Sequence, residues 1–220
     1  MNSSEVLKSL QNRRTYKVIG NVDKPETPGS KTKDDVDQLL EAAGNAPFHY
    51  ASGREHHGDL PSCVPWRVYK IDATGCRALM SERLESGDAT KIPNMLAAAQ
   101  FLLQVTWLPD PGTISGVADT KDGPVFDGTL RNMEHIAAGS AFTQSLLLAA
   151  DSFGFKTYWS SGGPLRGTEF FDRIGIPQTE LLLGSIFLFP PELENSETKH
   201  GAMADKRGAV ADWSRWIEFS

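Results

Sequence analysis

Helix-like and strand-like hydrophobic patterns follow one another along the chain, and together they predict an α+β fold. Apolar positions recur every three or four residues in some segments, and they alternate or cluster with aromatic residues in others. The predicted helices cover residues 5–12, 34–44, 73–85, 130–148 and 168–174, and the predicted strands cover 66–71, 155–159 and 181–189. Too few strands alternate with helices for a doubly wound parallel sheet, so we expect a mixed or antiparallel sheet covered by helices.

Two long irregular stretches, near residues 45–65 and 109–127, interrupt these elements. Both are rich in glycine, proline and polar residues, and loops of this length in a compact domain tend to be mobile or functional. Between them the run 95–108 is mostly apolar, and periodicity alone does not decide whether it is helix or strand. With 220 residues, the chain fits a single domain, 1–220, in which these stretches are insert-like loops.

The longest predicted helix leads into a glycine-rich segment. Its apolar stripe consists of Leu130, Met133, Ile136, Ala137, Ser140, Ala141, Gln144, Leu147 and Leu148. Gly154 follows where a left-handed C-terminal cap is expected. After the next strand come Trp159, Ser160, Ser161, Gly162 and Gly163. Glycines break both strand and helix, so this pattern predicts a strand that opens into a loop against which a flat cofactor could lie.

Composition and charge exclude several classes of protein. The chain is 40% hydrophobic and 23% charged, with a net charge of −6, which is typical of a globular protein and argues against general nucleic-acid binding. The first residues lack the pattern of a signal peptide, and no apolar run is long enough to span a bilayer, so we expect no membrane association and a cytoplasmic location. Cys63 and Cys76 are too few for a disulfide framework, and we expect both to be reduced.

Several catalytic signatures are absent from the sequence. There is no dinucleotide-binding Gly-x-Gly-x-x-Gly, no Gly-x-x-x-x-Gly-Lys phosphate loop and no Gly-x-Ser-x-Gly nucleophile elbow. His49, His56 and His57 lie close in sequence and would have to converge in a metal hydrolase. Adjacent histidines do not readily enter one coordination sphere, and the helical His-Glu-x-x-His spacing is missing, so we expect no metal site.

Three separated motifs coincide with those of a known family. They are Arg13-Arg14-Thr15 after the first predicted helix, Ala46-Pro47-Phe48-His49 followed by Pro65-Trp66, and the loop that begins at Trp159. Together they resemble the nitroreductase family of flavin enzymes. The resemblance implies an FMN-binding α+β homodimer, with flavin sites at the subunit interface. Val64 stands where one branch of that family usually has glutamine.

The resemblance also assigns cofactor-binding residues. It implies that Arg13, Arg14 and Thr15 hold the phosphate and ribityl chain of FMN, which arginine forks and a hydroxyl suit chemically. A basic residue of the last segment, Arg207, would reach the same phosphate, and His49 would lie at the flavin. The residues expected to approach the isoalloxazine ring are Trp159, Ser160, Ser161 and Gly162.

The implied activity is transfer of hydride from NADH or NADPH through the flavin to an electron-poor small-molecule substrate, such as a nitro compound or a quinone, in a ping-pong cycle. The cofactor carries such chemistry, so no catalytic side chain is expected. The alternative is a protein of the same fold that binds or sequesters FMN without turnover. The apolar tail that includes Trp213, Trp216, Ile217 and Phe219 would embrace the partner subunit.

Overall fold

The structure is a computed structural model, and it describes residues 3–114, 125–203 and 206–217. The helices are α1 (Ser3–Asn12), α2 (Lys33–Ala43), α3 (Ala73–Glu85), α4 (Ile92–Ala98), α5 (Leu130–Ser152) and α6 (Thr168–Ile174). The strands are β1 (Tyr16–Gly20), β2 (Trp66–Asp72), β3 (Phe101–Trp107), β4 (Lys156–Ser160), β5 (Leu181–Phe189) and β6 (Ser196–His200). Part of the predicted 109–127 loop and Phe219 of the predicted tail lie outside the described residues.

The strands form two antiparallel sheets. A central sheet has the order β2-β3-β5-β4, and a separate two-stranded sheet pairs β1 with β6. One face of the central sheet packs on α3, α4 and α6, and the other packs on α2 and α5. The structure therefore confirms the predicted α+β class with helices covering an antiparallel sheet.

Local sequence signals account for several helix ends. Thr32 and Asp35 form a capping box at the start of α2: the Asp35 N–H donates to the Thr32 hydroxyl at 3.2 Å, and the Thr32 N–H donates to the Asp35 carboxylate at 2.7 Å. After α5, Gly154 has a φ of +85°, the left-handed conformation that the sequence predicts and that side chains disfavour. The bounds of α3, α6 and β5 coincide with the predicted segments.

The apolar run 95–108 contains both types of element. It supplies the end of α4 and the whole of β3, with the break at Gln100. The Gln100 side chain is buried and donates to the carbonyls of Gly29 and Lys31. Periodicity did not resolve this stretch because two short, buried elements follow each other with only Ala99 and Gln100, both buried, between them.

Helix α5 buries a different face from the one expected. Its buried residues include Asn132, His135, Ala138, Phe142 and Leu146, whereas of the predicted stripe only Leu147 is buried and four members are exposed. Leu130 is 58% exposed and Met133 is 55% exposed, and Gln144 is also exposed. The helix has apolar residues on two sides, so the sequence shows two stripes and only one of them faces this chain's own core.

The first insert-like loop is anchored by a buried arginine. Arg67 of β2 is 4% exposed, and its guanidinium donates to five carbonyl oxygens, four of them in the loop: His56, Leu60, Ser62, Val64 and Trp66. Ser52 and His56 are buried. The loop is therefore irregular, as expected, but it lies partly inside the molecule and is tied to the central sheet.

Candidate functional site

A cationic pocket lies where the two-stranded sheet meets β4. Its volume is about 490 Å³, within the usual range for small-molecule sites. The lining comes from the segment before β1 and the start of β1, from β4, and from the end of β6 and the chain after it: Arg13, Arg14, Thr15, Lys17, Tyr158, Lys199, His200, Gly201, Ala202, Met203 and Arg207. No aspartate or glutamate is among these lining residues.

Strand pairing brings the two ends of the chain together in this pocket. In the β1–β6 register Tyr16 is opposite His200 and Lys17 is opposite Lys199. The ladder continues past the strands, because the Gly201 N–H donates to the Thr15 carbonyl at 3.0 Å. The pocket is also lined by residues beyond Gly201, namely Ala202, Met203 and Arg207.

Arg13 is partly buried and lies near Arg207 in this pocket. Partial burial and the nearby positive charge of Arg207 lower the pKa of its guanidinium, and Asp151 of α5 opposes this shift. Neither Arg13 nor Arg207 forms an ion pair with a carboxylate in the described ranges. Two arginines that repel each other at a concave surface favour the binding of an anion, which would satisfy both.

Arg14 is arranged differently from Arg13. Its side chain is exposed and its guanidinium turns back on its own chain, donating to the carbonyls of Gln11 and Arg13. Arg14 lines the pocket, but its Nη1 group already makes these two backbone bonds, whereas Nη1 of Arg13 makes one, to the Arg14 carbonyl at 3.2 Å. Of the two adjacent arginines, Arg13 is the partly buried one beside Arg207, so a ligand charge inside the pocket would act mainly on Arg13.

The other side of the pocket combines an aromatic ring with further cations. The Lys17 ammonium lies 5.5 Å from the centroid of the Tyr158 ring, a cation–π distance. Burial, followed by the charges of Lys91 and Lys199, lowers the pKa of Lys17. Positive charge therefore extends from the arginines along β1 to the ring of Tyr158.

The glycine-rich loop is held by hydrogen bonds, but within one chain it does not line this pocket. Gly162 has a φ of +100°, and a Cβ there would lie 2.4 Å from Leu182 Cδ2. Arg166 holds the turn by donating to the carbonyls of Ser161 and Leu182. Trp159 packs against the core on the α5 side, so Tyr158 is the residue of β4 that reaches the cations.

The histidines of the first loop have separate partners. The Nδ1 atom of exposed His49 lies 3.2 Å from a carboxylate oxygen of Glu134 on α5, away from the cationic pocket. His56 Nε2 bonds to the Pro109 carbonyl at 2.9 Å, and His57 Nε2 bonds to the Ser52 hydroxyl at 3.1 Å. Among the described residues, no group of three or more His, Cys, Asp or Glu could hold a metal ion.

The structure thus joins four of the nine expected cofactor-binding residues, Arg13, Arg14, Thr15 and Arg207, in one pocket. It places His49 and the group Trp159, Ser160, Ser161 and Gly162 outside that pocket. Sequence reasoning did not select Tyr158, Lys199 and His200. Tyr158 belongs to the strand before the glycine loop and could have been suspected, whereas Lys199 and His200 join the site only through the β1–β6 pairing.

Solved structures share this architecture. A nitroreductase-like family protein from Bacillus cereus is 18% identical, with a TM-score of 0.59, over 96% of this chain and 98% of that one. The fold of this chain is the nitroreductase-like fold. A protein from Desulfovibrio desulfuricans described as a nitroreductase in complex with FMN is 17% identical, with a TM-score of 0.59, over 100% of this chain and 99% of that one.

A nitroreductase with bound FMN from Desulfitobacterium hafniense is also similar, at 17% identity and a TM-score of 0.55, over 99% of this chain and 100% of that chain. No protein-family model and no curated protein sequence matches the chain. The nitroreductase-like fold is therefore recognised from structure. In the described parts of the chain, no helix combines the length and apolar character needed to cross a bilayer.

Proposed function

We propose that this protein is an FMN-dependent oxidoreductase that takes hydride from NADH or NADPH and delivers electrons to an electron-poor acceptor such as a nitro compound or a quinone. The observation that carries this proposal is the pocket in which Arg13 and Arg207 converge and form no ion pair with a carboxylate in the described ranges. The nitroreductase-like fold, with relatives of that fold described as FMN-bound, supports FMN as the anion.

The residues of the pocket suit the parts of FMN. The phosphate carries a charge of about −2 at neutral pH, and Arg13 and Arg207 offer it charged donors while Thr15 adds a hydroxyl. Tyr158 offers an aromatic wall. The cations Lys17 and Lys199 lie on the same side and favour a ligand that gains negative charge on reduction. Bound FMN would supply the hydride chemistry, and the protein supplies binding and orientation.

We propose that the functional unit is a homodimer, because apolar surface is left uncovered in one chain. Leu130 and Met133 on α5 are 58% and 55% exposed, and Trp216 in the C-terminal tail is 95% exposed. Exposed apolar patches of this kind usually mark an interaction surface. The predicted contributions of His49 and of the Trp159–Gly162 loop to flavin binding stay predictions, and so does a cytoplasmic location.

Flavin titration followed by turnover tests the proposal. Apoprotein is titrated with FMN while quenching of flavin fluorescence is followed, and the complex is then assayed for oxidation of NADH and NADPH with a nitroaromatic or quinone acceptor. We expect saturable FMN binding, acceptor-dependent oxidation and parallel double-reciprocal plots. Binding without turnover would favour the sequestering alternative, and absence of FMN binding would contradict the proposal.

A further inference from the structure

Glu26 is a buried carboxylate outside the candidate FMN pocket, in the segment between β1 and α2. Glu26 is only 5% exposed. Its backbone is fixed on both sides: the N–H donates to the Ala97 carbonyl at 2.9 Å, and its own carbonyl accepts from Arg77 at 2.8 Å. The direction in which the side chain leaves the backbone is therefore determined by α3 and α4.

The carboxylate of Glu26 accepts three hydrogen bonds from a remote part of the chain. The Glu194 N–H donates to Oε2 at 3.0 Å, while the Asn195 N–H and the Ser196 hydroxyl each donate to Oε1 at 2.6 Å. Burial alone would raise the pKa of Glu26, but these bonds and the charge of Arg77 together lower it. The ionised form is favoured, so the bonds are charge-assisted.

These three donors stand at the beginning of β6, and the cationic pocket stands at its end. In the described parts of the chain β6 pairs with β1 alone. Ser196 is three positions from Lys199 and five from Gly201, and both of these residues line the pocket. A short strand on a two-stranded sheet gains little stability from its own ladder, so a clamp at one end affects the placement of the other.

We propose that Glu26 is a positioning residue for the phosphate end of the pocket. By holding the turn 194–196, it sets the place of β6, and through β6 it aligns residues 199–201 with Arg13 and Thr15. This role rests on the proposed FMN function. In this role, a carboxylate that does not line the pocket contributes to the preference for FMN over riboflavin.

The test compares Glu26→Gln with wild type for two ligands, FMN and riboflavin, which lacks the phosphate. Glutamine has nearly the same shape as glutamate. Its amide nitrogen would take the place of one carboxylate oxygen and would face a donor of residues 194–196 that needs an acceptor. We expect the Kd for FMN to rise about tenfold, the loss of one charged hydrogen bond, and the Kd for riboflavin to stay unchanged. Hydrogen exchange should accelerate at residues 194–201 and remain as in wild type in the central sheet.

Two further variants serve as controls. Glu192→Gln removes an exposed carboxylate from the same connection and should leave both affinities unchanged. Ser196→Ala removes one of the three donors and should shift the FMN affinity in the same direction by a smaller factor, which keeps the test available if Glu26→Gln does not fold.

Equal loss of FMN and riboflavin affinity, or no loss in a folded Glu26→Gln variant, would overturn the positioning role. Wild-type protein that binds no FMN would instead refute the proposed function and this role with it. In that case the exchange rates at 194–201 still show whether the carboxylate clamps β6, so the two failures are distinguishable.

Discussion

Separate replacement of Arg13 and Arg14 by alanine compares their contributions to FMN binding, which the sequence alone does not distinguish. Arg13 is partly buried next to Arg207 and donates to one backbone carbonyl, while Arg14 is exposed and donates to two carbonyls of its own segment. A hydrogen bond to a charged group contributes about 1.5–3 kcal/mol. Arg13→Ala should therefore weaken FMN binding roughly 10- to 150-fold. Arg14→Ala should cost less than about 1 kcal/mol, as exposed charges usually do.

Flavin fluorescence titration of both variants measures this difference, with riboflavin as the ligand that lacks the phosphate. Arg13→Ala should leave riboflavin affinity unchanged, because the arginine is assigned to the phosphate. It should also not lower the thermal stability of the apoprotein, since the substitution removes a partly desolvated charge from the neighbourhood of Arg207. An equal effect of the two substitutions, or a larger effect of Arg14→Ala, would refute the argument from side-chain orientation.

Three more predictions concern the fold around the site. Arg67→Met should destabilise the protein by about 3–5 kcal/mol, because it removes a buried charged donor from five carbonyls. Urea unfolding measures this loss, and limited proteolysis of the variant should cut within residues 52–64. A free energy of unfolding equal to that of wild type would contradict the anchoring of the loop by Arg67. Gly162→Ala should cost at least about 1–3 kcal/mol through its positive φ and the contact with Leu182, measured by thermal unfolding, and an unchanged Tm would show that the loop relaxes. Trp216→Ser should shift the protein from dimer towards monomer, as measured by light scattering. An unchanged mass would contradict a role of the tail in the interface.

Much of the fold follows from local patterns, and the remainder depends on pairing between distant segments. The segments 73–85, 168–174 and 181–189 match helices and a strand to the residue. Their ends carry local signals: Asp72 caps α3, Gly175 ends α6 in the left-handed conformation, and Pro190 follows β5. β1 and β6 were not predicted. Both are short, and β6 is largely polar, so their structure comes from pairing with each other across the length of the chain.

The same physical reason limits how much of the site the sequence predicts. Arg13, Arg14 and Thr15 stand in one motif, and their convergence with Arg207 was expected from the resemblance to nitroreductases. Lys199 and His200 carry no motif and become part of the pocket only once β6 lies beside β1. The apolar stripe that includes Leu130 was recognised correctly as apolar, but periodicity does not tell whether such a stripe faces the chain's own core or a partner.

The affinity of the wild-type apoprotein for FMN relative to riboflavin tests the central claim most directly. If Arg13, Thr15 and Arg207 form a phosphate site within a flavin pocket, FMN should bind at least about tenfold more tightly than riboflavin, and the difference should shrink as salt is raised. Equal affinities, or no binding of FMN at all, would contradict the assignment of this pocket to a flavin phosphate.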